Sequence, residues 1–512
     1  MLASALRDVK GRMRPLFAQE RTAVNAGLFL DGLLSEERRK TGWMRSEAAG
    51  DPGPWRQQEL LGRDRWNADA LRDLVREYVV EHLRDDDAVL VIDETGFLKQ
   101  GKASCGVARQ YTGSAGKITN CQIGVFASYV SRHGHAFIDR ALYLPKSWTD
   151  DPLRLKAAYV PNDIGFATKP HLAAWMIARA AATGVPFSWV AADSVYGVGE
   201  LERDLRHLGK GYVLGVDSAH VFRSWGKQRQ VAGTAAGIVK TLDPSDWQRL
   251  SAGDGTKGPR LHDWCYLELA DLDADEFNAA NHGLWTRSLL IRRNIAVDEL
   301  AYFTTWCPAG TSIGTLVKVE GHRWSIEDSF ETAKNEFGLD HNETRSWHGW
   351  HRHVSLVMMA FAMMAAIRHQ ANLSIPKKTK PTPGKSRARS SAGRSRKSVE
   401  SRNASSDDTS NQPLSLHGRY GDAPTRPPLK RLISNANHDC SLRGNGCLQV
   451  RIMRGVEPHR SSTATESDLT HLRRIALIVS GPGERRIEIA HQFSVRQLGG
   501  NGADLSRIRG LR

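Results

Sequence analysis

Residues 88–96 read AVLVIDETG, and this stretch decides the fold class. Ala88–Ile92 is an uninterrupted apolar run that ends at Asp93, which is the pattern of a strand buried on both faces. Residues 187–192 (FSWVAA) form a second such run, and it ends in the same way at Asp193. The sequence therefore predicts two core strands that each end in an aspartate.

The segment between these two runs alternates between strand and helix patterns. Residues 123–130 (IGVFASYV) predict a further strand, and Lys169–Thr183 predicts a helix with Gly184 at its end. Because strands that alternate with helices form layered sheets with parallel neighbours, we expect an α/β fold.

The two strand-end aspartates suggest a cation site. A carboxylate at the exit of an apolar strand is costly unless it is solvated, paired or bound to a metal. Ligands of open α/β sheets gather beyond the carboxyl ends of the strands, so Asp93 and Asp193 are expected to converge. Oxygen ligands suit Mg²⁺, which usually takes one or two carboxylates from the protein.

A third acid lies on a predicted helix, residues 323–334 (RWSIEDSFETAK). At 100° per residue, four apolar side chains fall within about 60° of one another and predict the buried stripe: Ile326, Phe330, Ala333 and Phe337. Glu327 and Lys334 flank this stripe together, whereas Asp328 faces solvent. Glu331 is the rival of Glu327 for a place in the cleft.

The basic charge is confined to one end of the chain. The 512 residues carry a formal net charge of +15, and residues 371–512 hold 26 Lys/Arg against 11 Asp/Glu, so the first 370 residues are neutral. All 14 tryptophans also precede residue 371. Six cysteines without a paired spacing argue against a disulfide framework or a structural zinc site. The longest apolar run, residues 354–367, is short of the ~20 residues that span a membrane, so no membrane association is expected.

These patterns divide the chain into five predicted segments. They are an N-terminal helical segment that would either bind DNA or serve as scaffold (1–85), the first part of the α/β core (86–216), a β-rich segment (217–317), the helices that complete the core (318–370), and a basic, low-complexity, largely disordered tail (371–512).

The acidic positions resemble the signature of bacterial DDE insertion-sequence transposases. In that signature an aspartate ends strand one, a second aspartate ends a later strand, and Y-x2-R-x3-E-x6-K lies on a helix. Asp93, Asp193 and the spacing of Arg323, Glu327 and Lys334 match it, and residues 88–124 and 322–356 are similar to one branch of these proteins. The tyrosine of the signature is replaced by Glu320.

The resemblance covers roughly residues 20–370 and implies an RNase H-like catalytic core with a β-rich insertion before the glutamate helix. It implies that Asp93, Asp193 and Glu327 are the catalytic and metal-binding residues, holding two Mg²⁺ ions or Mn²⁺ in their place. Arg323 and Lys334 would contact DNA.

The implied activity is cleavage at the ends of an insertion sequence and strand transfer into target DNA. Expected partners are double-stranded DNA, as terminal inverted repeats and target, and a second copy of the chain in a homodimer. The expected location is the bacterial cytoplasm, at the nucleoid. Two alternatives stay open at this point: an RNase H-like nuclease without strand transfer, and a DNA-binding protein that has lost catalysis.

Overall fold

A computed structural model describes residues 1–255, 258–374, 477–481 and 484–488 of the chain. The chain divides into two compact units, Met1–Ser386 and Arg387–Arg512. Most of the predicted basic tail lies outside the described residues. In the second unit the described segments are the paired strands Leu477–Gly481 and Glu484–Glu488.

The first unit begins with helices and contains thirteen α-helices in all within its described residues. In chain order, α1 to α13 are Leu2–Met13, Glu20–Leu34, Gly42–Ala48, Trp55–Gly62, Ala68–Leu83, Lys146–Thr149, Pro152–Ala157, Lys169–Ala182, Gly199–His207, Ala235–Val239, Ile313–Gly321, Trp324–Asn335 and Trp347–Ser374. In α5, Asn67 caps the first turn by accepting a hydrogen bond from the Asp69 N–H at 2.8 Å. The apolar stripe of α5 is buried, with Leu71, Val75 and Val79 against the core.

The described strands of the first unit are numbered β1 to β12. They are Val89–Leu98, Ala108–Thr112, Lys117–Ser131, Gly134–Tyr143, Trp189–Ala192, Gly211–Val216, Val221–Arg223, Ala232–Thr234, Gln248–Gly255, Gly258–Asp273, Leu284–Arg293 and Leu300–Pro308. Ten of them form one mixed sheet in the order β2-β3-β1-β5-β6-β12-β11-β10-β9, with β4 paired to β3. The β1–β5 and β5–β6 pairs are parallel, and the others are antiparallel.

The prediction that the first strand ends at Asp93 is wrong, because β1 continues to Leu98. Strand β1 is paired over different lengths on its two sides. The antiparallel partner β3 pairs with it as far as the Leu98–Cys121 register, whereas the parallel partner β5 stops at the Ile92–Ala192 register. Asp93 therefore lies at the point where its parallel neighbour leaves the sheet, rather than at a strand end.

Residues 217–317 are rich in strands, and β9 to β12 extend the same sheet instead of forming a separate layer. Strand β12 pairs antiparallel with β6, with Thr304 opposite Leu214. A second apolar cluster fills the space beneath these strands around Phe222, Leu267 and Leu289. The division of the chain into five segments stays a prediction.

Helix α13 packs beside α5 and β4. One span in the described part of the chain, Trp347–Leu373, is long and apolar enough to cross a membrane, and 61% of its most apolar window is buried inside the protein. Val354, Met358 and Phe361 are among its side chains in the apolar core, so α13 has the environment of a core helix.

Candidate active site

Asp93 lies in the middle of β1, one residue beyond the last β1 residue that pairs with β5. Its Oδ1 accepts a hydrogen bond from the Glu94 N–H at 2.7 Å. Removal from water raises the pKa of Asp93 to about 8, and the negative charge of Asp193 contributes to the same shift. Asp93 and Asp193 directly follow Ile92 and Ala192, which are paired on neighbouring parallel strands, so the structure brings these two predicted site residues together.

Asp193 follows directly after β5 in a tight turn. Its Oδ1 accepts from the Val195 N–H at 2.9 Å, and its carbonyl oxygen accepts from the Tyr196 N–H at 3.1 Å. The turn lies against β6 so closely that a Cβ on Gly215 would come within 2.8 Å of the Ser194 nitrogen. Burial raises the pKa of Asp193, against the Val195 hydrogen bond, and the charge of Glu94 raises this pKa further.

Helix α12 presents Glu327 beside these strands. The predicted stripe is present, because Ile326, Phe330, Ala333 and Phe337 are all buried. Phe330 anchors the helix through ring contacts at 5.3 Å with Phe126 of β3 and 5.4 Å with Phe137 of β4. Glu327 is half-buried on the flank, whereas Asp328 and Glu331 are exposed, and this difference favours Glu327 over its rival without deciding between them.

Arg323 is the cation shared by the whole acidic site. Its guanidinium contacts the Glu327 carboxylate at 2.9 Å between Nη1 and Oε1. Burial lowers the pKa of Arg323, but the charges of four neighbouring carboxylates outweigh it and raise this pKa above its usual value: Glu327, Glu320, Asp93 and Asp193. Arg323 is therefore close enough to interact electrostatically with all three predicted catalytic acids.

The three acids do not form a closed metal-ligand set in this arrangement. In the part of the chain that the structure describes, no three His, Cys, Asp or Glu side chains are grouped closely enough to hold a metal ion. Asp93 and Asp193 repel each other, whereas Glu327 is held by Arg323. The donors themselves suit Mg²⁺ or Mn²⁺, because they are carboxylate oxygens and two of them share one poorly solvated space.

Lys334 lies on the same face of β1 as Asp93. Its ammonium group donates to Thr95 Oγ1 at 2.7 Å and to Ser114 Oγ at 2.8 Å. Thr95 is two residues after Asp93, so the pleat separates the two positions by roughly 6.6 Å along the strand. Lys334 is thus fixed beside the acidic site by hydroxyl groups, rather than extended freely into solvent.

Sequence reasoning missed a group of residues next to the two aspartates. Glu94 accepts a hydrogen bond from Tyr196 Oη at 2.5 Å and pairs with Lys169 Nζ at 2.5 Å. The position of Tyr196, three residues after Asp193, was a signal that could have been used. Lys169 carries no such signal, because it comes from the start of α8.

Glu320, at the position of the signature tyrosine, is a buried carboxylate on α11. Its Oε1 accepts from Arg292 Nη1 at 2.6 Å, and burial raises the pKa of Glu320. Its Oε2 is buried and makes no hydrogen bond to any residue that the structure describes. Glu320 therefore belongs to the protein interior behind Arg323, and in this arrangement it does not offer a polar group to solvent.

The mixed sheet, two carboxylates beside its parallel strands and a third on the adjacent helix are consistent with the RNase H-like fold of DDE enzymes. Residues 12–254 match the sequence model of the DDE superfamily endonucleases, and residues 170–363 match that of the transposase DDE domain.

The chain is also similar to a curated protein described as a probable transposase for insertion sequence element IS701, from Microchaete diplosiphon. The two are 32% identical over 195 residues, which is 37% of this chain and 47% of that protein. These matches support a DDE-class insertion-sequence transposase.

Proposed function

We propose that this protein is a Mg²⁺-dependent transposase that cleaves DNA at the ends of an insertion sequence and joins the freed 3′-hydroxyl groups to target DNA. The observation that carries the proposal is the proximity of Asp93 and Asp193 on neighbouring parallel strands, with Arg323 beside both. The matches to the DDE endonuclease and transposase family models support the same chemistry.

Divalent ions would supply an activated water or 3′-hydroxyl and would neutralise the charge on the leaving oxygen. Asp93 would contribute to both ions, and Asp193 and Glu327 would each complete one. The carboxylates of Asp93 and Asp193 are already adjacent. Glu327 Oε1 is paired with Arg323 at 2.9 Å, so an ion bound by Glu327 would compete with Arg323 for the carboxylate charge and would weaken or replace this contact.

The two cations of the site have complementary roles in this proposal. Once Glu327 is released, the Arg323 guanidinium is free to donate to the scissile phosphate. The Lys334 ammonium group lies beside Thr95, about one pleat repeat along β1 from Asp93. From there it would contact the same DNA strand. Phosphate contacts of this kind position the DNA without reading its sequence.

The substrates would be the double-stranded terminal inverted repeats of the element and the target DNA. We propose a homodimer in the DNA complex, because two ends must be held together for transfer. The protein would act in the bacterial cytoplasm at the nucleoid. The basic segment 371–512 would add affinity for DNA of any sequence, which falls steeply as salt is raised.

The test is a cleavage assay on a supercoiled plasmid that carries the gene's own flanking DNA. The purified full-length protein is incubated with Mg²⁺ or Mn²⁺ and compared with Asp93→Asn, Asp193→Asn and Glu327→Gln. Glu331→Gln is the matched control, because it removes an exposed glutamate one turn further along α12.

We expect wild type and Glu331→Gln to release the flanked segment and join it elsewhere, and the other three variants to be silent. Nicking without joining would instead indicate a nuclease. DNA that is bound but never cut with either ion would contradict the enzymatic proposal and leave a DNA-binding protein.

A further inference from the structure

The segments that carry the two aspartates are joined by a partly buried hydrogen bond. Tyr196 lies in the turn after Asp193 and is fully buried, and its hydroxyl donates to Glu94 Oε2 at 2.5 Å. Glu94 is the residue that follows Asp93 in β1. The bond therefore connects the loop after β5 to β1 at the level where the parallel pairing of these strands has stopped.

The other oxygen of Glu94 is also occupied. Lys169, the first residue of α8, contacts Glu94 Oε1 at 2.5 Å. The side chains of Lys169 and Glu94 are 23% and 18% exposed, so the pair is largely shielded from solvent. Because both of its oxygens already accept a hydrogen bond from a neighbouring side chain, we assign Glu94 a positioning role and leave metal binding to Asp93 and Asp193.

These contacts offset part of the negative charge of the site. Asp93, Glu94 and Asp193 are three carboxylates within interaction distance, since the charge of Glu94 raises the pKa of both aspartates. The Lys169 ammonium group compensates the Glu94 charge and also acts on Asp193. Glu94 can thus brace the two aspartate segments without leaving a third uncompensated charge between them.

We propose that Tyr196, Glu94 and Lys169, here called the Glu94 clamp, set the separation of the Asp93 and Asp193 carboxylates and thereby the affinity for the first divalent ion. The three are positioning residues, because they act through the two aspartates. The inference rests on the proposed function for its choice of ligand. Outer contacts that orient metal-binding side chains are commonly worth about 10- to 100-fold in metal affinity.

The decisive variant is Tyr196→Phe, which removes one hydroxyl and leaves the buried ring. The chain offers a matched control in Tyr212 of β6, which is equally buried and donates from its hydroxyl to Glu202 Oε2 at 3.0 Å. Tyr212→Phe removes a comparable Tyr–Glu hydrogen bond from the same sheet without touching the aspartate segments. Mn²⁺ binding to each full-length protein is measured by calorimetry, and folding is checked by thermal unfolding.

We expect Tyr196→Phe to weaken Mn²⁺ binding about 10-fold, with Tyr212→Phe binding as wild type does. Equal Mn²⁺ affinity in wild type and Tyr196→Phe, or an equal loss in both phenylalanine variants, would overturn the clamp. If Tyr196→Phe does not fold, Glu94→Gln and Glu94→Leu decide the matter. Gln keeps an oxygen for Tyr196 and should lose less Mn²⁺ affinity than Leu, and equal losses would overturn the inference.

The same proteins are also tested on the flanking-DNA plasmid, which separates this inference from the proposed function. If wild type cuts and Tyr196→Phe matches it in both Mn²⁺ affinity and cleavage, the clamp fails and the transposase proposal stands. If wild type binds Mn²⁺ and responds to Tyr196→Phe as expected but cuts no DNA, the clamp stands and the proposed function fails.

Discussion

The two halves of the acidic site are built differently. The sheet half consists of Asp93 and Asp193, which lie on neighbouring strands and are joined through the hydrogen bond between Tyr196 and Glu94. The helix half is Glu327, whose carboxylate is 40% exposed and is paired with Arg323 on the same helix. One half is held by a largely shielded network of hydrogen bonds, and the other by an ion pair in which the glutamate is 40% exposed.

This difference indicates how the site would be assembled. A partly exposed i,i+4 ion pair stabilises a helix by only about 0.3–0.5 kcal/mol, so an ion and a DNA phosphate can replace it at little cost. Repulsion between two poorly solvated carboxylates is relieved by a proton, as the raised pKa of Asp93 indicates, or by a bound cation that displaces this proton. We infer that the sheet half binds first and that Glu327 joins when DNA takes over Arg323.

The largest expected effect is loss of cleavage when a member of the sheet half is changed. Asp93→Asn should lower the rate of DNA cleavage on the order of a thousand-fold, because several kcal/mol of transition-state stabilisation are lost. The free energy of unfolding should not fall near pH 7, since a pKa of about 8 means that the Asp93 carboxyl group is largely protonated there and asparagine has the same shape without a charge. Plasmid cleavage and urea unfolding measure the two quantities.

Asp328→Asn on the exposed face of α12 is the control for this prediction. Cleavage by Asp93→Asn at the rate of this control would contradict the assignment.

Glu320, behind the helix half, should matter for stability. Glu320→Leu leaves the Arg292 charge without its partner and should lower the free energy of unfolding by about 3 kcal/mol. Urea unfolding checks this against Arg249→Met, which breaks the solvent-exposed Arg249–Asp263 pair and should have a much smaller effect. Similar losses in the two variants would show that Glu320 is not held as a buried ion pair.

Arg323 tests whether the helix half is free to rearrange. Arg323→Met should slow DNA cleavage about 10- to 100-fold, because one charge-assisted hydrogen bond to phosphate is worth about 1.5–3 kcal/mol. Its free energy of unfolding should change by less than about 1 kcal/mol, as for other partly exposed pairs. Lys318→Met, an exposed cation on the preceding helix, controls for general charge effects in both assays. A large loss of stability in Arg323→Met would mean that Arg323 holds the fold rather than the substrate.

The smallest expected effect concerns Asp85, which lies just before β1. Unlike Asp93, Asp85 forms an ion pair. Arg132 donates to Asp85 at 2.5 and 2.9 Å, and these hydrogen bonds hold the pKa of Asp85 well below its usual value near 4. A carboxylate with a lowered folded-state pKa stabilises the protein above its unfolded-state pKa and loses that contribution as the pH falls.

Asp85→Asn should therefore lower the Tm at pH 7, and its difference from wild type should shrink at pH 3. Thermal unfolding at the two pH values checks this. A difference that is the same at both would mean that the Asp85 charge does not contribute to stability.

Local sequence patterns were sufficient to predict the strand and the helix that carry the candidate site residues. The apolar run before Asp93 predicted a buried strand, and the 100° periodicity predicted which face of α12 is buried. The pattern did not show that β1 continues past Asp93, because the polar residues that follow are paired on one edge by β3.

The contacts that connect distant segments could not be predicted in the same way. Glu94 meets Lys169 and Tyr196 across 75 and 102 residues of sequence, and Arg292 reaches Glu320 from another strand. Such pairings depend on strand order and register, which a one-dimensional pattern does not specify. The choice of Glu327 over Glu331 remains a prediction, and their different exposure supports it.

The most direct test of the two-part site is the number of Mn²⁺ ions bound per protein in the presence of a DNA end that cannot be cleaved. We predict two ions for wild type, one for Glu327→Gln and none for Asp93→Asn, because Asp93 would contribute to both. Two ions bound to Asp93→Asn, or no difference between wild type and Glu327→Gln, would contradict the assignment of these carboxylates.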